Sequence, residues 1–164
     1  MGDVIAWERA DGGISYEIPA YNDSNRPAGD TDQALIERCV ARTGPRLERD
    51  HGGPAIPHII PVEEFPADQT FRDAWEWQGG AISVNMPRAR IVHMAAIRVS
   101  RDAELAKLDI TFMRAIETGD TAAQSTIGTE KQALRDIPQT FDLSGAATPE
   151  ALDALWPAEL PSRG

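Results

Sequence analysis

The residues that could carry chemistry in this chain are few: three histidines, one cysteine and the carboxylates of an acidic sequence. A metal site needs several His, Cys, Asp or Glu side chains at a spacing that lets them converge. His51 and His58 lie in Gly- and Pro-rich sequence with no such spacing around them. His93 falls within a helical pattern, and its neighbour one turn on is Ile97. No metal site is expected, and the histidines read as surface or capping residues. Cys39 has apolar neighbours and reads as a buried structural thiol. A lone cysteine makes neither an internal disulfide nor a Cys-based zinc site.

Nucleophilic catalysis needs a base and an orienting group beside a Ser or Cys. No Gly-x-Ser-x-Gly elbow occurs, and Ser144-Gly145 sits in a linker. Glu63-Glu64 reads as a surface pair. Gly12-Gly13 and Gly52-Gly53 lack the Lys-Ser/Thr and the strand-to-helix context of a phosphate loop. Trp75 and Trp77 could offer a flat platform to a sugar, but aromatic pairs of this kind more often anchor a core or an interface. The residues give no positive evidence for an enzyme and no metal site.

Composition points the same way. The net charge is −10 over 164 residues, which argues against a general nucleic-acid binder. Residues 1–70 hold 13 acids and 6 bases, and residues 71–164 hold 13 acids and 10 bases. Arg88, Arg90, Arg98 and Arg101 form a run with no acid between Asn85 and Arg101. This patch reads as a solvated helix face, or as a surface that meets acidic groups. No apolar run approaches the roughly 18 residues of a membrane span, so no membrane insertion is expected. Met-Gly-Asp-Val-Ile-Ala is no signal peptide, and Ala6 leaves the myristoylation pattern incomplete.

These residues need elements to position them. Val4–Trp7 and Ile14–Ile18 flank Asp11-Gly12-Gly13 and predict a β-hairpin ended by Pro19. A helix is expected from Thr31 or Asp32 to about Thr43, with Leu35, Ile36, Cys39 and Val40 on its apolar face, stopped by Gly44-Pro45. Residues 46–54 read as loop. Residues 55–63 read as an extended edge strand, because Pro57 and Pro61 cannot donate to a sheet on both sides. Trp75 and Trp77, with Ile82 and Val84 across Gly79-Gly80, predict a second hairpin.

The longest helical signal runs from about 86 to 118, with Asn85 and Pro87 at its start and Gly119 at its end. Ile91, Met94, Leu105, Leu108, Phe112 and Ala115 fit a heptad frame, with Arg98 and Arg101 in the intervening slots. Such a stripe suits an oligomeric coiled coil, or a helical hairpin with a bend near Ser100. A return helix is expected over about 121–135, ended by Pro138, and a short last helix from Thr148-Pro149-Glu150. The predicted fold class is α+β: a β-β-α-β module (1–65), an aromatic hairpin with a long helical hairpin (66–137), and a linker with a short helix (138–164). The expected interface residues are Trp75, Trp77, Arg98, Arg101, Leu105, Leu108 and Phe112.

Several phrases carry a resemblance. Pro66 to Trp75 reads Pro-Ala-Asp-Gln-Thr-Phe-Arg-Asp-Ala-Trp, and Val84 to Arg90 reads Val-Asn-Met-Pro-Arg-Ala-Arg. Leu105 to Ala115, Glu117 to Asp120, Lys131 to Asp136 and Ala147 to Pro157 follow in order. Together they resemble small tail-associated proteins of tailed bacteriophages, described as tail proteins, tail-fibre assembly proteins or tail assembly chaperones. The resemblance implies contacts with other phage tail, baseplate or fibre proteins. It implies no catalysis and no cofactor. With the heptad stripe of the long helix, the expectation is a homo-oligomer formed through the helical hairpin, a trimer being in keeping with fibre symmetry. The leading expectation is a component of the distal tail, baseplate or fibre, located in the virion tail after assembly in host cytoplasm. The alternative is a transient tail-fibre or tail assembly chaperone absent from the virion. A third reading is a glycan-binding or hydrolytic accessory module built on the tryptophans.

Overall fold

The computed structural model describes residues 2–163. Met1 and Gly164, at the outer ends of the expected first and last segments, lie outside the described residues. The chain is α+β, with strands first and long helices after them. It divides into two compact units, one running through Asn85 and the other starting at Met86.

The first unit is built on β1 (Val4–Glu8). It pairs antiparallel with β2 (Ile14–Glu17) on one side and with β3 (Ile56–Ile60) on the other, so the sheet order is β2-β1-β3. Pro57 of β3 lies opposite Trp7 on an edge strand, as its missing N–H requires. Because side chains alternate across a strand, β1 feeds two cores. Val4 and Ala6 pack with Ile14, Ile60 and Trp75. Ile5 and Trp7 pack with Ile36 and Cys39 of helix α1 (Asp32–His51). Trp75 belongs to β4 (Trp75–Gln78), which pairs with β5 (Ala81–Val84). Gly79 and Gly80 join these strands at φ of 64° and 91°. Two consecutive positive φ angles are what a type I′ hairpin turn demands, and glycine supplies them without strain.

Helix α1 departs from its expected length. Gly44-Pro45 does not stop it, and residues 46–51, expected as loop, continue the helix to His51. Gly44 is a packing residue instead: a Cβ there would come within 3.3 Å of the Trp7 ring. Pro45 removes one helical hydrogen bond, but Leu47 beyond it still packs against the Trp7 core. The true stop is Gly52, left-handed at φ 69°, whose N–H returns to the Glu48 carbonyl. Before the helix, Asp30 receives a bidentate Arg38 guanidinium at 2.6 and 2.7 Å and a further bond from Arg26 at 3.1 Å. The Arg38 guanidinium, then Arg26, hold its carboxyl at about 2 against the usual carboxylate range.

The second unit holds α2 (Met86–Glu117), α3 (Thr121–Thr140) and α4 (Pro149–Asp153). α2 is helical without a break through Ser100. Its end is a Schellman turn: Gly119 sits at φ 68°, its N–H bonds the Ile116 carbonyl at 3.0 Å, and the Asp120 N–H bonds Ala115 at 2.9 Å. Asp120 then caps α3 by accepting from the Ala123 N–H at 2.9 Å. The two helices therefore form an antiparallel hairpin. α3 passes through Pro138, expected to end it, and closes at Thr140, with Ile137 buried and the Phe141 N–H on the Ile137 carbonyl. The helical gain of these last residues outweighs the one bond that Pro138 cannot make.

Candidate functional site

Within the second unit, α2 buries Ala89, His93, Ile97 and Ala115, and α3 answers with Ile127, Leu134 and Ile137. The C-terminal segment packs on the same core through Leu143, Ala146, Leu152 and Leu160. Two polar side chains of α2 hold it there. The Arg90 guanidinium donates to the Leu143 carbonyl at 3.2 Å and to Ala146 at 2.9 Å. His93, 1% exposed, sets Nε2 at 2.6 Å from the Leu155 carbonyl, so that nitrogen is the donor. The His93 ring also meets Trp156 edge-on, with centroids 5.8 Å apart. In the turn between, Ser144 gives both its N–H and its hydroxyl to Asp142, holding that carboxyl below the usual range.

Where this seam loosens, a cleft of about 350 Å³ opens, lined by Glu104 and Leu108 of α2, Glu130, Ala133 and Leu134 of α3, and Glu159. Its floor is apolar. Its rim carries three carboxylates, of which Glu104 accepts from Lys107 at 2.6 Å. An apolar floor with an acidic rim can take an apolar side chain flanked by lysine or arginine. Among the described residues, no group of three or more His, Cys, Asp or Glu is placed to hold a metal ion. No helix among them is long and apolar enough to cross a membrane.

The sequence-predicted interface residues fall in several places. Leu108 lines the cleft. Leu105 is half-buried, and Phe112 is half-buried under the Lys131 ammonium, 5.1 Å from its ring centre. Arg101 bonds the neighbouring Asp102 carboxylate at 3.0 and 2.7 Å, and Arg98 is exposed. Trp75 and Trp77 lie in the first unit. Trp75 is 2% exposed, between Tyr16 and Phe65. Trp77 stacks on His58 at 3.8 Å and 8°, and His58 lies 3.3 Å from Glu8.

Sequence reasoning missed Glu104, Glu130, Ala133, Leu134 and Glu159 as members of one cleft. A signal was present in the repeated spacing Glu104…Leu108 and Glu130…Leu134, which places a carboxylate one turn from a leucine on each arm of the hairpin. Nothing in the sequence brings Glu159 to the same place.

Residues 94–159 match the family model described as phage tail assembly chaperone protein. The match begins in α2 and runs past α4, so it spans most of the helical unit and contains all six residues of the cleft. It supports a phage tail assembly protein family, and with it a role in phage tail assembly, for this chain. Neither the curated proteins nor the solved structures give a significant match.

Proposed function

We propose that the chain acts as an assembly chaperone for a phage tail, holding a segment of another tail protein on its helical unit and carrying out no chemical step. The observation that supports this reading is the cleft at Leu108 and Leu134, apolar in its floor and acidic at its rim, which falls wholly inside the matched residues. Its occupant is an apolar side chain with a basic neighbour. Such a site binds a segment transiently: the apolar floor supplies affinity, and the carboxylates steer and select.

The test is co-expression of the full chain with the other tail proteins of its phage, followed by co-purification. A tail protein should come down with the wild type. The charge reversal Glu130→Lys, at an exposed position that leaves the hairpin core alone, should weaken that capture about tenfold. Capture unaffected by Glu130→Lys together with Glu159→Lys would remove the cleft from the account. Mass spectrometry of purified particles separates a chaperone from a component of the distal tail, baseplate or fibre: the chaperone is absent, and the component is present in stoichiometric copies.

A further inference from the structure

Helix α2 carries a second apolar stripe that the hairpin does not use. Ile91, Val99, Ile110, Met113 and Ile116 are between 47% and 72% exposed. With exposed Ala95, Asp102 and Ala106 they form the series 91-95-99-102-106-110-113-116. The steps are four and three residues, the spacing that keeps one face of a helix in register. At 100° per residue this face is centred opposite Ile97 and Ala115, which point into the hairpin core. The stripe is about 37 Å long at 1.5 Å per residue.

Its charges are not scattered. Arg98 lies exposed on one flank of the stripe, and Asp109 lies exposed on the same flank further along. Asp109 already accepts from Lys131 through Oδ1, which leaves its Oδ2 available. In an antiparallel pair of identical helices, each flank meets the same flank of its copy, as an isologous two-fold contact requires. Arg98 then faces Asp109 of the other copy, twice over. The apolar positions pair about the same centre: Ile91 with Ile116, Ala95 with Met113, and Val99 with Ile110. All four pairings have their midpoint within about half a residue of Glu104, which points to the core side and stays clear of the contact. Asp102, the charged member of the stripe itself, comes close to the axis with its carboxylate already held by Arg101. In a parallel two-fold pair each flank meets the opposite flank of its copy, so Arg98 and Asp109 lie on opposite sides of the seam and their pairing is lost.

We infer that the outer face of α2 is an interface with a second copy of this chain, packed antiparallel about a two-fold axis near Glu104. The occupant is another α2 because the charges and apolar groups of the stripe are complementary to themselves in one register. This goes beyond the chaperone reading. It concerns the opposite face of α2 from the cleft, and it leaves the cleft of each copy open to its own client.

The experiment is sedimentation of the purified full chain over a concentration series, with no other phage component present, so its outcome is independent of whether a client is found. The wild type is expected to be dimeric. Arg98→Glu and Asp109→Arg, each alone, should weaken the dimer about tenfold or more, because each places like charges opposite one another at two symmetric sites. An equimolar mixture of the two variants should restore it, since both cross-pairs are again of opposite sign. Circular dichroism checks that Asp109→Arg, which gives up the Lys131 pair, keeps its helix. A second readout is independent of charge: Ala95→Cys mixed with Met113→Cys should form an intermolecular disulfide, and neither variant alone should do so. A monomeric wild type, a mixture no tighter than its parts, or crosslinking of Ala95→Cys to itself would each overturn the proposal.

Discussion

β1 and α2 hold corresponding places in the two units, and both carry apolar residues on opposite faces. In β1 the two faces are both covered: Ile5 and Trp7 lie against α1, and Val4 and Ala6 lie against β2, β3 and Trp75. In α2 only one face is covered. Ala89, His93, Ile97 and Ala115 are buried, while Ile91, Val99, Ile110, Met113 and Ile116 remain in solvent. A two-faced apolar element that is covered twice stabilises its own unit. One that is covered once has a face left over, and exposed apolar stripes of this size mark interaction surfaces. β1 is thus covered on both faces, although Ile18, Ile56 and Ile59 stay exposed elsewhere in its unit, whereas α2 keeps one face uncovered.

Substitutions can break this comparison at three points. The largest effect is expected at Trp7→Ala, which empties the core under α1 at a residue 1% exposed. It should lower the stability of the full chain by about 3–5 kcal/mol in urea unfolding. A loss under about 1 kcal/mol would mean that β1 is not the double-faced centre of its unit. A smaller effect is expected at Arg90→Ala, on the covered side of α2. It leaves the Leu143 and Ala146 carbonyls without their guanidinium donor, at about 1–3 kcal/mol, seen as faster amide exchange over residues 141–160 than elsewhere. The smallest is Val99→Ser, on the uncovered side, at about 0.5 kcal/mol or less in the monomer. A large loss of monomer stability there would show that the outer face of α2 is covered within the chain.

The strands were legible in the sequence because their signals are local: the Asp11-Gly12-Gly13 and Gly79-Gly80 turns, the alternation around them, and Pro57 marking an edge. The ends of α2 were legible for the same reason, through Gly119. The two prolines inside α1 and α3 were misleading, since Pro45 and Pro138 read locally as stops. What carries the helices past them is tertiary: Leu47 packs against the Trp7 core, and Ile137 is buried in the hairpin. Gly44 was misread in the same way, because its closeness to Trp7 joins residues 37 apart in sequence. In α2, the heptad frame took Ile91 for a seam residue, whereas the helix holds two apolar faces and Ile91 belongs to the outer one. The cleft was missed because its lining comes from three separate stretches: the Glu104…Leu108 and Glu130…Leu134 spacings were present, but nothing local joins them to each other or to Glu159.

On the proposed function, the helical unit, and not the sheet unit, engages another tail protein. Hydrogen exchange of the full chain, alone and in complex with a co-purified tail protein, tests it most directly. New protection is expected in the α2 and α3 segments around Glu104–Leu108 and Glu130–Leu134, with the strands from Val4 to Ile60 unchanged. Protection confined to residues before Asn85, with the cleft exchanging as it does in the free chain, would contradict it.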